Sequence, residues 1–496
     1  MRCLIYCLIF LSSIVSASTM AQELRPYAPG TPQFGLGGTP ERPAMAILRS
    51  DEDWSWLAGV DQDEYQALDH LKYVPVGSSS GYFSFALNAR VRMELFENAL
   101  FGLQPDSDTS LHTRFDPIVS YTANDRLRLF GALKFANVDF ERFPASDVDE
   151  QGLDVHQAFA EFSMGHWFGL TTHDLFARVG RQELHYGSGR ILTIRDGPNV
   201  RRDFDGVMIR SRLGAVTSEL LAFRPTQDEA GAFDNATNDD QSVWGVYTST
   251  DLAKAINIKT PSHLDVYYFG QQRETSRYAY LQQPVEETRH TIGLRLWSAA
   301  PPTQGLTYDI EAAFQIGKAQ SVTSTDDDVS IHAGFIAGDI NYGFDYPWQP
   351  VVSIRLGAST GDSNPDDDRI ETYRPLYPSG RYFSDAVPLG PGNIAEFSPS
   401  LTVTPIRPLS VVGRVRGFWR VDDNDGLYIV AEQPIRGPQG NDHYIGTEYS
   451  LIVTYHLSAY LTLDTMLSHI DSGDYLEDNL PDENTNYFRV SLDAAF

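Results

Sequence analysis

The chain has 496 residues, 12% of them aromatic, with 39 glycines and a formal net charge of -28. Such acidity argues against a nucleic acid as a partner, because the phosphate backbone is bound by basic surfaces. Both cysteines, Cys3 and Cys7, lie in an apolar N-terminal stretch, so the rest of the chain offers no thiol for a disulfide or a thiolate metal site. We expect no cofactor and no metal.

The N-terminus is typical of a secretory signal peptide. Arg2 precedes an almost wholly apolar core over 3–15, and small residues follow it. Cleavage is expected after Ala21, with Ala17 as the alternative, and an uncleaved anchor is the competing interpretation. Residues 22–81 are first rich in proline and glycine and then polar, which suggests a periplasmic segment that partly enters the base of the following domain.

Mean hydropathy is -0.29, and no later apolar run reaches the about 20 residues of a membrane helix. Low hydropathy does not exclude a barrel, whose strands are apolar only at alternate residues. Such alternation is clearest over 82–96, where Phe83, Phe85 and Leu87 share one face and Arg90 and Arg92 the other. A soluble sandwich also alternates, but its strands are shorter than those that recur here to the C-terminal Phe496.

The predicted fold is all-β, a single transmembrane antiparallel barrel of about 18 strands over 82–496. The strands are expected near 82–96, 111–121, 125–140, 154–164, 173–184, 204–213, 216–224, 241–249, 262–272, 288–298, 305–318, 328–339, 349–360, 394–404, 409–420, 443–455, 458–470 and 485–496. Connections after odd-numbered strands are mostly long and those after even-numbered strands mostly short. This division is typical of barrels in the outer membrane of Gram-negative bacteria, which have long external loops and short periplasmic turns.

Aspartates concentrate in the predicted external loops. The clusters lie at 106–108, 147–150, 239–240, 326–328, 366–368, 422–425 and 471–483. Solvated loop charge explains them, and bridging by divalent cations to lipopolysaccharide is a second interpretation. The 362–368 stretch lacks the glycine and distal glutamate of an EF-hand loop, so no specific metal site is expected.

The polar strand face carries many arginines, although the chain is acidic. It includes Arg90, Arg92, Arg126, Arg128, Lys134, Arg178, Arg210, Arg212, Arg295, Arg355, Arg414 and Arg416, interspersed with Glu94, Asp116, Glu161, Asp309, Glu311, Glu396, Glu448 and Asp464. A charge that faced lipid would cost about 2–4 kcal/mol at the midplane, which favours an inward placement. An arginine-lined constriction would favour anions. The alternative is that these arginines pair with the inward acids and only hold the wall together.

The connection 185–203 is rich in arginine and glycine, unlike the acidic loops. We expect it to fold inward and narrow the pore, and an ordinary external loop is the alternative. With its flanks, from Gly180-Arg181-Gln182-Glu183-Leu184 to Gly197-Pro198-Asn199-Val200-Arg201-Arg202-Asp203-Phe204-Asp205-Gly206, it resembles the alginate-export family of outer-membrane barrels. Leu71-Lys72-Tyr73-Val74-Pro75, Gly361-Asp362, the stretch 372–383 and Gly392-Asn393 support the resemblance, which runs from about residue 50 to the C-terminus.

The resemblance implies an 18-stranded barrel whose cationic constriction conducts an anionic uronate polysaccharide. The family's constriction matches Arg90, Arg92, Arg181, Arg190, Arg195, Arg201 and Arg202, with Asp203 and Asp205 as ion-pair partners. Asn88 and Ala89 depart from the acidic, glycine-rich stretch expected before the first arginine. An anion-conducting barrel is therefore a firmer expectation than an alginate exporter, and a general anion-selective or nonspecific porin is the alternative.

Two other functional classes are less favoured. An enzyme would need an activated nucleophile, and neither a G-x-S-x-G motif nor a compact Ser/His/Asp grouping stands out, so we expect no enzyme. A gated receptor would need a folded plug larger than residues 22–81. The expected partners are outer-membrane lipid and lipopolysaccharide, an anionic saccharide and periplasmic export or uptake proteins.

Overall fold

The computed structural model describes residues 45–66, 68–77, 81–104, 107–140, 148–171, 174–256, 262–281, 283–298, 305–320, 328–380, 383–387, 389–430 and 433–496. The signal peptide expected over 1–21, with its cleavage sites, and the Pro/Gly-rich stretch up to Pro43 lie outside these residues. Parts of the acidic clusters at 106–108, 147–150 and 326–328 also lie outside them.

Eighteen strands form one antiparallel sheet that closes on itself, which confirms the predicted barrel. They are β1 (Tyr82–Glu97), β2 (Asp108–Asn124), β3 (Leu127–Asp139), β4 (Gln151–Ser163), β5 (Leu175–Gln182), β6 (Phe204–Leu213), β7 (Val216–Gln227), β8 (Gln241–Asp251), β9 (Ser262–Ser276), β10 (Val285–Ser298), β11 (Gly305–Ala319), β12 (Val329–Gly343), β13 (Val351–Ser359), β14 (Ala395–Ile406), β15 (Leu409–Trp419), β16 (Tyr444–His456), β17 (Leu461–Ser472) and β18 (Thr485–Ala495). Each strand pairs with its neighbour in sequence, and β18 pairs with β1 in the register Arg90↔Asp493.

The other elements are short. In the part of the chain that the structure describes, four 3-10 helices span Arg49–Asp51, Ser55–Gly59, Gln62–Glu64 and Gly165–Phe168, and three short α-helices span Asp69–Lys72, Leu252–Ile256 and Asp474–Glu477. Short extended pieces lie at Val74–Pro75, Ala236–Thr237, Arg369–Ile370, Leu427–Tyr428 and Pro434–Arg436. Among the described residues, no helix is both long and apolar enough to cross a membrane.

The two ends of the barrel differ in the length of their connections. At one end two residues join β6 to β7, where Gly214 adopts a positive φ of 62° that favours glycine. Two residues also join β2 to β3 and β14 to β15 there. The long connections 183–203 and 360–394 leave from the other end. Because outer-membrane barrels have short periplasmic turns, the short-turn end is the periplasmic one.

The two faces of the sheet differ in chemistry, as alternation requires. On β11, Phe314 is 52% exposed, whereas Glu311 on the opposite face is 2% exposed. Exposed apolar side chains recur around the ring at Phe85, Leu129, Ile292, Ile336 and Leu401. This outer face meets lipid, and the charged face points inward. The prediction was wrong for Arg126, which lies in an exposed turn. Arg212 shares the inward face of β6 with Arg210 but is exposed at the end of the strand.

Replacing Phe314 by arginine is expected to lower the free energy of unfolding by about 2–4 kcal/mol, because it places a cation on the lipid face near the middle of a strand. Urea titration of the protein refolded in liposomes measures the change. Phe314→Leu keeps this surface apolar and is the control. Equal unfolding midpoints for the two variants would contradict the assignment of this face to lipid.

Candidate functional site

The connection between β5 and β6, residues 183–203, is named the crossing segment. Every residue in it is buried or half-buried. It begins with a tight turn in which the Tyr186 N–H donates to the Leu192 carbonyl at 3.0 Å. Gly187 and Gly189 have φ values of 61° and 81°, which side chains other than glycine rarely adopt. The turn directs Arg190, the next residue, toward the far wall of the barrel.

Arg190 joins the crossing segment to β11 and β12. Its Nη1 donates to Asp309 Oδ1 at 2.9 Å and to Glu311 Oε2 at 3.1 Å, and its Nη2 donates to Asp339 Oδ2 at 2.8 Å. The Arg190 side chain is 2% exposed. One guanidinium therefore holds three wall carboxylates, and its planar fork suits such multidentate pairing.

Asp196 joins the same segment to β1 and β2, on the other side of the ring. Arg90 Nη2 lies 3.0 Å from Asp196 Oδ2, and Arg114 Nη2 lies 2.8 Å from Asp196 Oδ1. Nearby, Asn199 Nδ2 donates to the carbonyls of Thr113 on β2 and Asn137 on β3, at 3.0 and 3.3 Å. The segment thus contacts strands about half the ring apart.

Only a path through the interior satisfies both sets of contacts. An 18-stranded barrel is roughly 35 Å across, given a strand spacing of about 4.8 Å and a tilt of about 40°. The chain from Arg190 to Asp196 spans roughly 20 Å when extended. Arginine side chains at either end bridge the rest. The geometry therefore supports an inward fold of this connection rather than an ordinary external loop.

Three guanidinium groups converge on the Asp196 carboxylate, and we name Arg90, Arg114, Arg201 and Asp196 the Asp196 cluster. Arg201 Nε lies 2.8 Å from Asp196 Oδ1. The three arginine side chains are 5–12% exposed, and that of Asp196 is 34% exposed. Burial would raise the pKa of Asp196, but Arg90, Arg114 and Arg201 together hold it well below its usual range. Asp196 is therefore ionised at neutral pH.

A buried network fixes both ends of the crossing segment, Glu183 and Asp203, against β3 and β4. His156 Nδ1 lies 2.9 Å from Asp203 Oδ2, and its Nε2 lies 2.9 Å from Glu183 Oε1. Lys134 Nζ reaches Asp203 Oδ2 at 2.8 Å. Because each ring nitrogen of His156 faces a carboxylate oxygen, the arrangement suits the doubly protonated ring. The same Glu183 also receives Arg201 Nη1 at 3.3 Å, which links this network to the Asp196 cluster.

A second long connection, 360–394, also folds inward and contacts the crossing segment. Tyr377 N–H donates to the Ile191 carbonyl at 2.8 Å, and Thr193 N–H donates to the Tyr377 carbonyl at 2.9 Å. Ser379 N–H donates to the Gly189 carbonyl at 2.9 Å. Arg381 and Tyr382, part of the stretch 372–383, lie outside the described residues. The two connections therefore support each other across the lumen.

The other predicted site residues all lie beside charged or aromatic partners. Arg92 pairs with Glu94, Asp116 with Arg114, Arg178 with Glu161, Arg181 with Asp205, Arg195 with Asp228, Arg355 with Asp339, Arg414 with Asp385, and Arg416 with Glu396 and Glu448. The Arg202 guanidinium lies 4.8 Å from the centre of the Tyr377 ring. Pairing with inward acids, the alternative raised above, is thus what the geometry displays. That these arginines line a conducting pore stays a prediction.

Two predicted residues, Arg181 and Asp205, lie on the outer face of their strands, unlike the rest. Arg181 and its partner Asp205 share strand faces with Val179 and Val207, which are 47% and 41% exposed. They therefore lie on the face opposite Arg178, and we leave them out of the constriction. Arg114 is a cluster residue that was not predicted from the sequence. It shares a face of β2 with Asp116, which was assigned inward, so alternation could have found it.

Comparisons with known proteins agree with this architecture. The family model described as Alginate export matches residues 81–490. The structure of OccK1 (OpdK) from Pseudomonas aeruginosa is similar, with a TM-score of 0.53 and 11% identity over 83% of this chain and 98% of that one. OccAB1 from Acinetobacter baumannii has a TM-score of 0.53 and 13% identity, over 84% of this chain and 96% of that one. A BenF-like porin from Pseudomonas fluorescens Pf-5 has a TM-score of 0.52 and 11% identity, over 84% of this chain and 98% of that one.

The comparison with curated proteins finds no match. The structural likenesses, all at low identity, show the fold, which is that of outer-membrane porins. The family match is independent of them and extends over most of the sequence, including the crossing segment and the strands that hold it. This chain therefore belongs to the alginate export family and is a channel of the Gram-negative outer membrane.

Proposed function

We propose that the channel passes anionic sugars or polysaccharides, of which alginate-like uronates are the model, through an arginine-lined lumen. The observation that carries the proposal is the convergence of Arg90, Arg114 and Arg201 on a carboxylate in the segment that crosses the lumen. A uronate presents the same group, and the guanidinium fork binds carboxylates with two parallel hydrogen bonds.

Arg114 adds a direct indication that the cluster can hold a further acceptor. Its guanidinium is buried, with a side chain 5% exposed, yet its Nη1 has no hydrogen-bond partner among the described residues. A buried donor left without a partner costs free energy. Because this atom has almost no accessible surface, a carboxylate or hydroxyl of a sugar would supply that partner only by displacing a neighbouring group of the cluster.

A general anion-selective or nonspecific porin is the second candidate, and the pairing of the arginines favours it. Arg90 also contacts Asp493 at 2.7 Å, and Arg92 contacts Glu94 at 3.0 Å, so neither offers an isolated charge. On this alternative the network only holds the wall and the crossing segment in place. Since the family and its structural neighbours are channels, an enzyme remains disfavoured.

Single-channel recording in planar bilayers distinguishes the two candidates. We expect trigalacturonate, an oligouronate, to block the current, and Arg90→Ala/Arg92→Ala to weaken the block by about tenfold or more, since each lost charged hydrogen bond is worth about 1.5–3 kcal/mol. Neutral maltotriose is the ligand control. The variant Arg224→Ala, whose arginine is exposed and pairs with Asp239, is the protein control. A current insensitive to trigalacturonate would remove the saccharide proposal and leave a general porin.

A further inference from the structure

The N-terminal segment 45–66 contacts the inside of the barrel at the short-turn end. Arg49 Nη1 donates to Asn88 Oδ1 at 2.9 Å on β1, and its Nη2 donates to the carbonyl of Phe496. The next residue, Ser50, is fully buried. Its carbonyl accepts from Arg128 Nη2 on β3 at 2.6 Å. The segment therefore lies along the inner wall of the periplasmic mouth.

Asp51, the next residue, lies between two arginines of the barrel wall. Its Oδ1 lies 3.3 Å from Arg178 Nη2 and 3.3 Å from Arg210 Nη1, and its Oδ2 lies 3.3 Å from Arg210 Nη2. The side chain of Arg178 is 1% exposed and that of Arg210 is 16% exposed. Burial would raise the pKa of Asp51, but Arg210 and Arg178 hold it below its ordinary value. Asp51 is thus an ionised carboxylate supplied by the segment.

Within the group of side chains around Asp51, the charges balance only when Asp51 is counted. The wall supplies three guanidinium groups, those of Arg128, Arg178 and Arg210. Two wall carboxylates face them: Glu161 pairs with Arg178 at 2.8 Å and with Arg128 at 3.0 Å, and Glu219 pairs with Arg210 at 2.5 Å. Removing Asp51 leaves one cationic charge without a counter-charge in this group.

Asp51 is also the most weakly held carboxylate of the group. Its contacts with the arginines are all 3.3 Å long, whereas the wall pairs are 2.5–3.0 Å long. Its side chain is 28% exposed, compared with 17% for Glu161 and 13% for Glu219. Solvent screens a more exposed pair, so another carboxylate can exchange with Asp51 more readily than with either glutamate.

We propose that Arg128, Arg178 and Arg210 form a second carboxylate-binding site, at the periplasmic mouth, that Asp51 occupies as a built-in competitor. A carboxylated saccharide that reaches the mouth takes the place of Asp51 and releases segment 45–66 from the wall. The ligand class rests on the proposed function. The site itself is distinct from the Asp196 cluster, because it is built on β3, β5 and β6 at the short-turn end.

Asp51→Asn tests the competition, because asparagine keeps the shape of the side chain and removes its charge. With the competitor gone, we expect trigalacturonate added at the short-turn side to block at about tenfold lower concentration, the effect of losing a charge-assisted contact. Addition at the other side should give the wild-type value. Asp63→Asn, in the same segment but exposed, is the matched control. An unchanged or weaker block from the short-turn side would overturn the competition.

Thiol labelling of a Ser50→Cys protein tests the release, because the residue is fully buried while the segment is docked. We expect trigalacturonate to raise the labelling rate about tenfold, and maltotriose to leave it unchanged. The same chain without the new cysteine gives the background rate. An unchanged rate, with block from the other side intact, would overturn this inference but not the proposed function. If trigalacturonate blocks from neither side, both fall.

Discussion

Replacing Arg190 by alanine is expected to lower the free energy of unfolding by about 3–5 kcal/mol and to free the crossing segment from β11 and β12. The change removes the cation of a buried ionic group and leaves three carboxylates close together. Such a loss lowers the free energy of unfolding far more than the loss of a surface ion pair. Arg295 still contacts Asp309 and Arg355 still contacts Asp339, so two of the three carboxylates keep a positively charged partner. The pore should become wider, with a larger and noisier single-channel current.

Urea titration in liposomes and bilayer recording measure these two effects. Arg190→Lys keeps the charge but loses the fork that reaches three carboxylates, so we expect only partial recovery. Arg224→Ala is the control, because it removes an exposed arginine that pairs with Asp239 and does not contact the crossing segment. Wild-type conductance and stability in Arg190→Ala would show that this contact does not hold the segment in the lumen.

The double variant Arg114→Gln/Arg201→Gln is expected to weaken the preference of the channel for anions strongly. The substitutions remove two positive charges beside Asp196 and leave only Arg90 against it, so the formal charge of the Asp196 cluster falls from +2 to 0 and the local potential at the crossing segment becomes less positive. Close charges in a confined passage change ion permeability steeply. We expect the chloride-to-potassium permeability ratio to fall by on the order of tenfold.

Reversal potentials under a potassium chloride gradient give this ratio. Arg181→Gln is the matched control, because it removes the same group from the outer strand face, where Arg181 pairs with Asp205 at 2.9 Å. The control should keep the wild-type ratio. If the double variant also keeps it, the Asp196 cluster does not determine the selectivity of the channel.

The barrel could be predicted from the sequence because its determinants are local. A strand between lipid and an aqueous lumen must alternate, and the length of each connection shows at which end it lies. Both signals are read within a single hairpin. That is why all 18 strands were located, including Phe204–Leu213 and Val216–Gln227, where alternation is weakest.

The charged network could be predicted only in part, because its contacts are distant in sequence. Arg90 is 106 residues from Asp196, and Arg190 is 149 residues from Asp339. Composition indicated that arginines and acids would pair, but not which ones. The docking of Asp51 on Arg210 has no local signal at all, since it depends on where the N-terminal segment enters the ring.

Strand parity placed side chains on the correct face where it was applied. Errors arose where parity was not applied or where the family resemblance was used in its place. Arg114 was missed although its neighbour Asp116 on the same face was assigned inward. Arg181 was included by resemblance, yet it alternates with Gln182 and shares the face of the exposed Val179. Arg126 was assigned to a strand but lies in the turn before β3, although its carbonyl accepts from the Ser163 N–H at 2.8 Å.

The most direct measurement is the reversal potential of the unaltered, refolded channel under a tenfold potassium chloride gradient. A lumen crossed by an arginine-rich segment is predicted to prefer chloride. The reversal potential should therefore have the sign of the chloride equilibrium potential. A potential of the opposite sign, or none, would contradict an anion-conducting constriction. The barrel and its family would stand, but the arginines would then serve only to hold the crossing segment in place.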